Sequence, residues 1–164
     1  MSIYYDYAIE KGKILYFCST YCVNDERIRG FNQHRILAEE IVSFDTGLFK
    51  MLGVLKEQIT TPNEEYQYLA VIIDPPAKKN RELSDDERFE FVGYDLVEEF
   101  SFISAITDCG GDFEEAIDYS KLNEYGIISD YEFALATQKL LEEKYPDEDH
   151  AYCDIVEIWR YAKQ

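Results

Sequence analysis

Phe89-Glu-Phe-Val-Gly-Tyr-Asp-Leu-Val-Glu98-Glu99-Phe-Ser-Phe-Ile-Ser-Ala-Ile-Thr107-Asp-Cys109-Gly-Gly-Asp112-Phe-Glu-Glu115-Ala-Ile-Asp-Tyr119 is the stretch on which the fold turns. Its first part alternates aromatic or aliphatic residues with polar ones, the pattern of a strand with one wetter face. A turn at Glu98-Glu99 and a second run from Phe100 to Thr107 predict two neighbouring strands. Cys109-Gly110-Gly111 ends them. Asp112, followed three residues later by Glu115, has the reciprocal pattern that satisfies free amides at a helix start, and it predicts a short helix to about Leu122, closed near Gly126.

The same reasoning extends outward in both directions. Ile3–Ile9 and Lys13–Val23, parted by Glu10-Lys11-Gly12, predict a β-hairpin, with a short helix within Tyr16–Val23 as the rival reading. Ile36, Leu37, Ile41 and Phe44 fall on one helical face, and Leu48, Leu52, Leu55 and Ile59 form a second stripe interrupted by Gly53. Tyr66–Ile73 is apolar enough for a buried strand, halted by Asp74-Pro75-Pro76 because proline donates no ladder hydrogen bond. The polar stretch at about 74–88 reads as a mobile surface loop. Ser129-Asp130-Tyr131-Glu132 repeats the helix-start pattern, and Phe133, Ala136, Leu140 and Leu141 trace an apolar face ending before Pro146. Tyr152–Tyr161 predicts a strand covered on both sides, with Cys153, Ile155, Trp159 and Tyr161 on one and Val156 and Ile158 on the other. Strands and helices in clumps, with no regular βαβ alternation, predict a single α+β domain over residues 1–164, with a mostly antiparallel sheet and helices packed on one side.

Charge is the strongest functional signal. The 164 residues carry 34 acidic and 16 basic side chains, for a net charge of −18. Residues 82–164 alone hold 23 acidic against 6 basic residues. With 14 Tyr, 10 Phe and 46% hydrophobic residues, the chain can bury a core, so this acidity belongs to a folded surface. Such a surface repels phosphates and anionic lipid and steers basic partners. Direct nucleic-acid or membrane binding is therefore not expected. Met1–Tyr7 has no basic leader before an apolar run, which predicts a cytoplasmic protein with reduced cysteines.

Motifs with chemistry are few. Cys109 precedes a predicted helix start, where a thiolate could be stabilised, and His150 could serve as its base, giving an enzyme reading. Cys18, Cys22, His150 and Cys153 could ligate zinc only if Cys18 and Cys22 share a helix, since on a strand they lie about 13 Å apart. No phosphate loop, dinucleotide fingerprint or calcium hand is present, and no cofactor is expected. What remains is acid interspersed with tyrosine. Glu98, Glu99, Asp112, Glu114, Glu115, Tyr119, Glu142, Glu143, Asp147, Glu148 and Asp149 are the candidate binding residues, with Tyr94, Tyr125, Tyr131, Tyr145 and Tyr152 as possible aromatic anchors.

In size, acidity and mixed α/β character the chain resembles the bacterial immunity proteins that neutralise nuclease toxins, a likeness of composition and size that carries no residue positions with it. It implies a basic protein partner such as a nuclease toxin. A self-associating structural subunit, for instance a homodimer formed through aromatic sheet surface, is the third expectation.

Overall fold

The computed structural model describes residues 11–19, 51–58, 67–98, 104–107, 109 and 111–162. Four strands, β1 (Ile14–Ser19), β2 (Gln67–Ile73), β3 (Phe89–Glu98) and β4 (Cys153–Tyr161), form one sheet in the order β1-β2-β4-β3. Every pairing is antiparallel. The helices are α1 (Leu52–Gln58), α2 (Arg81–Ser84) and α3 (Tyr131–Lys144). This is the expected α+β class.

The central strands are the apolar runs. Leu69 to Ile73 of β2 and Ile155 to Trp159 of β4 are buried without a break, as befits strands covered on both faces. On one face Leu15, Leu69, Val71, Ile73, Val156 and Ile158 pack together beneath Ile127 and Tyr125. The other face carries the helices. Leu96, Ile155 and Cys153 pack against Ala134 and Leu141 of α3. Ala70, Ile72 and Trp159 pack against Leu83 of α2 and Leu52 of α1. One sheet face thus has two separate covers, with a seam between them.

β3 is an outer strand, and its free edge would invite pairing with another chain. A bulge between Phe91 and Gly93 puts Phe91 and Tyr94 on the same face. Gly93 has φ +149°, and a Cβ there would stand 2.7 Å from the Ile128 carbonyl oxygen. That approach lets the Tyr94 amide donate to the Ile128 carbonyl at 2.6 Å and the Ile128 amide donate to the Tyr94 carbonyl at 3.0 Å. The Asn123 side chain donates to the Val92 carbonyl at 2.8 Å. The edge is therefore covered by the chain's own 123–128 segment, whose Ile127 enters one core and Ile128 the other.

Several expectations need correction. β3 pairs with β4, and of the predicted 100–107 strand the described residues 104–107 show an antiparallel bridge from Ser104 to Val97 and a turn at 105–107; residues 99–103 lie outside the described set. The predicted helix from Asp112 is a series of turns followed by a 3-10 turn at Tyr119–Lys121. One of its amides is claimed from afar: the Glu115 N–H donates to the Tyr145 hydroxyl at 3.1 Å. The Asp118 side chain accepts from Ser120 and starts the 3-10 turn. The 74–88 loop holds α2, capped by Asn80 and anchored by buried Leu83. In α3 the cap is Asp130 and not the expected Ser129, and the buried residues are Ala134, Thr137 and Leu141, while Ala136 and Leu140 face outward. Its inward face is rotated by about one residue. The hairpin's first strand and the 36–44 helix lie outside the described residues, while Lys13–Val23 and the second stripe are represented by β1 and α1.

Candidate functional site

Two constellations emerge, one expected and one not. The expected one surrounds the C-terminal end of α3. Phe113 is buried and meets Tyr145 edge-on at 4.9 Å, and the Tyr145 hydroxyl holds the Glu115 amide. The exposed carboxylates of Asp112, Glu114 and Glu115 are thereby fixed beside the end of the helix that bears Glu142 and Glu143. Pro146 then turns the chain, and its carbonyl accepts from the Tyr152 hydroxyl at 2.7 Å, which closes the exposed Asp147-Glu148-Asp149 loop. Glu98, at the end of β3, contacts the His150 ring through Nδ1. Three acidic segments distant in sequence thus meet at one corner. The helix C-terminus adds its own partial negative charge.

Among the described residues, Asp112, Glu114, Glu115, Glu142, Glu143, Asp147, Glu148 and Asp149 take part in no ion pair. Glu82, Glu87, Glu124 and Glu132 are likewise in no ion pair, while several acids elsewhere are matched. Asp86 pairs with Arg88 at 2.8 Å, Glu90 with Arg160 at 2.6 Å and Asp154 with Lys11 at 3.2 Å.

The tyrosines divide. Tyr152 is 45% exposed and stands at the acidic corner. Tyr119, Tyr125, Tyr131 and Tyr145 are half-buried. Tyr94 is core, and burial, reinforced by the charges of Glu157 and Asp130, pushes its hydroxyl well above the usual tyrosine range. Glu99 lies outside the described residues.

The cysteine readings fare differently. Cys18 sits on β1 opposite Tyr68, level with the end of β4, whereas Cys153 begins β4, about 26 Å away at the rise of a strand. That separation removes the zinc set. His150 gives its Nδ1 to Glu98 and its carbonyl to the Cys153 thiol, which donates at 3.1 Å. Burial, followed by the charges of Asp95, Cys109, Glu98 and Asp154, pushes the Cys153 thiol far up, so it stays protonated. Cys109 is half-buried against the same core cluster. Among the described residues no group of three side chains could hold a metal ion, and no helix is long and apolar enough to cross a membrane.

The unexpected constellation lies in the seam. Glu157, in the middle of β4, is fully buried. Its Oε2 accepts from the Trp159 indole N–H at 2.8 Å and from the Asn80 amide at 3.2 Å. Its Oε1 has no hydrogen-bond partner. Burial raises the carboxyl above its ordinary value, opposed by the hydrogen bonds from Trp159 and Asn80 and by the Lys79 charge. Trp159 and Tyr94, the cross-strand neighbour of Glu157, belong to a chain of ring contacts: Phe91 lies 5.2 Å from Trp159 and 5.3 Å from Tyr94, and Tyr94 lies 5.7 Å from Tyr131. The Lys79 ammonium stands 3.9 Å over the Phe91 ring.

Sequence reasoning missed this acid, although a signal existed. In a strand covered on both sides, the parity that places Cys153, Ile155 and Trp159 inward places Glu157 inward too. A lone charge in such a run is the informative residue.

No family model matches the sequence, and comparison with curated proteins and with solved structures returns no match.

Proposed function

We propose that this chain is an acidic protein-binding module that engages a basic protein through the corner at the end of α3, most concretely as an immunity or inhibitor protein that covers the cationic cleft of a nuclease toxin. The observation that carries this reading is the placement of unpaired carboxylates from 112–115, 142–143 and 147–149 around one helix end, tied there by the Glu115–Tyr145 and Tyr152–Pro146 hydrogen bonds. Unpaired carboxylates keep their field available to a partner, and field sets encounter rate and partner choice. Tyr152, partly exposed beside them, supplies an aromatic contact of the kind that anchors interfaces. On a nuclease, these acids would take positions otherwise held by phosphates.

The test is capture from the native host at low salt, followed by stopped-flow association with the captured protein. The partner should be basic, and raising salt roughly ten-fold should slow association by about ten-fold or more. Reversing the corner with Glu114→Lys, Glu115→Lys, Glu142→Lys and Glu143→Lys should remove the salt dependence. Reversing Glu82, Asp85 and Glu87 should do far less. Capture of only acidic partners, or equal rates for both reversed proteins, would end the proposal.

A further inference from the structure

Asn80 joins the cover over the α2 end of the sheet to the acid beneath it. Its side-chain oxygen accepts from the Leu83 N–H at 3.0 Å, and its carbonyl accepts from the Ser84 N–H at 3.0 Å and from the Ser84 hydroxyl at 2.9 Å. The Asn80 N–H then donates to Glu157 Oε2 at 3.2 Å. α2 itself is four residues long and buries only Leu83, and short elements with few buried side chains open locally well before a domain unfolds. Beyond that bond, Glu157 Oε1 is buried without a hydrogen-bond partner. A neutral acid tolerates such a position, whereas an ionised one demands donors or water on both oxygens. Ile72 of β2 and Tyr94 of β3 flank Glu157 within the sheet, and neither strand can part from β4 without breaking its ladder. The cheapest route for water is to lift α2.

We propose that α2 is a pH-operated flap, closed over Glu157 while that acid is neutral and released when it ionises, so that water reaches the carboxylate and the Trp159 indole. Lys79, on the exposed connection into α2, favours the ionised form through its charge, as do the hydrogen bonds from Trp159 and Asn80. The other elements offer the carboxylate little. β3 presents the Tyr94 hydroxyl, which burial keeps protonated, and β2 presents Ile72. α2 turns only Leu83 inward, Arg81 and Glu82 being exposed, while Lys56 of α1 is engaged by the Tyr161 hydroxyl. Tyr131 and the Asp130 charge, at the start of α3, act on Tyr94. Burial outweighs the cation and the two hydrogen bonds, so the carboxyl is raised while the flap is closed. Closure is thus favoured in full below the ordinary carboxyl value and weakens as pH rises through the closed-state value. The device lies apart from the acidic corner and stands or falls independently of the proposed partner.

Trp159 is the only tryptophan, and its indole N–H donates to Glu157 Oε2 at 2.8 Å, so that single resonance reports the acid from below while the Leu83 amide reports α2 from above. Hydrogen exchange of both, each divided by the rate of an unstructured peptide at the same pH, reads the opening. Between about pH 5 and 8 their protection should fall by about ten-fold or more, while that of the Leu141 amide within α3 changes by less than about two-fold. Glu157→Gln keeps an oxygen for Trp159 and Asn80 but cannot ionise, and should hold protection constant across that range. Asp86→Asn removes a titrating acid beside α2 and should keep the full pH dependence. Where Glu157→Gln does not fold, Leu83→Ala takes its place: with the flap loosened, the indole should be poorly protected already at low pH, and its pH dependence should shrink to about two-fold. Protection in the unaltered chain that is flat with pH, or that falls as much within α3 as at Leu83, would overturn the proposal. So would a fall that persists undiminished in Glu157→Gln or Leu83→Ala, or one that is lost in Asp86→Asn.

Discussion

The two ends of the helix-covered sheet face handle negative charge in opposite ways. At the α2 end several carboxylates are engaged by the fold: Asp85 is paired with Arg81, Asp86 with Arg88, and Glu157 receives Trp159 and Asn80, leaving Glu82 and Glu87 unpaired. At the α3 end, carboxylates are placed by the fold and left unmatched, positioned through Tyr145, Pro146 and Tyr152. Both ends look alike in composition. What separates them is how many unpaired carboxylates they collect, and only the larger set at the α3 end is costly enough in mutual repulsion to suggest a use outside the chain.

The largest test of that contrast removes the support of the acidic corner. Leu141 is fully buried and ties α3 to the sheet. Leu141→Ala should destabilise the protein by about 3 kcal/mol in urea unfolding, through lost transfer energy and the cavity left behind. Leu83→Ala, which releases the four-residue α2, should cost less, because fewer neighbours depend on it. Equal losses would mean that the two covers are not separate.

Next comes the pH behaviour of Glu157. Its carboxyl is raised in the folded state, chiefly by burial, so the folded protein binds this proton more tightly than the unfolded chain does. The resulting stabilisation is full below the ordinary carboxyl value and is lost as pH rises through the folded value, at no more than about 1.4 kcal/mol per pH unit for one proton. Asp86 has the opposite sign. Its carboxyl is lowered, first by the Arg88 side-chain hydrogen bond, so its stabilisation is present above the ordinary value and fades as pH falls through the folded one. Glu157→Gln should flatten the upper part of a stability-versus-pH curve and leave the acid limb intact. A curve unchanged above pH 5 would show that Glu157 does not behave as a buried acid.

What was legible in the sequence follows from how local each decision is. The β2 run from Leu69 to Ile73 and the start of α3 rest on neighbours within a few residues, and both stand in the structure, the cap moving one residue from Ser129 to Asp130. The Asp112-Phe-Glu-Glu pattern looked equally local, yet its Glu115 amide is claimed by Tyr145, thirty residues away, and no helix forms. The pairing of β3 with β4 was hidden for the same reason, since a nearby apolar run at 100–107 competes on paper with a strand sixty residues further on. At the corner, sequence supplied the acids and the structure supplied their convergence. For Glu157 the parity of β4 held the signal, but its vacant oxygen is a tertiary fact.

A smaller effect separates the ends by sign. Glu142 and Glu143 stand in the last turn of α3, where a negative charge opposes the helix dipole and its acidic neighbours. Glu142→Lys should therefore stabilise the folded protein by about 0.5 kcal/mol in low salt, while slowing association with a basic partner. Stabilisation without loss of association would detach the unpaired charge from any binding role.

The smallest expected effect comes from the matched end, where neutralising an acid should cost stability instead. Glu90 accepts from Arg160 at 2.6 Å, and the Arg160 guanidinium also lies 5.0 Å from the centre of the Tyr125 ring. Glu90 is about half exposed, with a side chain 53% accessible, so water screens the pair. A double-mutant cycle with Glu90→Gln and Arg160→Met should then give a coupling of only about 0.5 kcal/mol, smaller still in high salt. The loss from Arg160→Met alone should exceed that coupling, because the stacking on Tyr125 goes with it. Were the cycle instead to show repulsion or nothing at low salt, Glu90 would belong with the corner acids, and the division between consumed and displayed charge would no longer follow the two ends of the sheet.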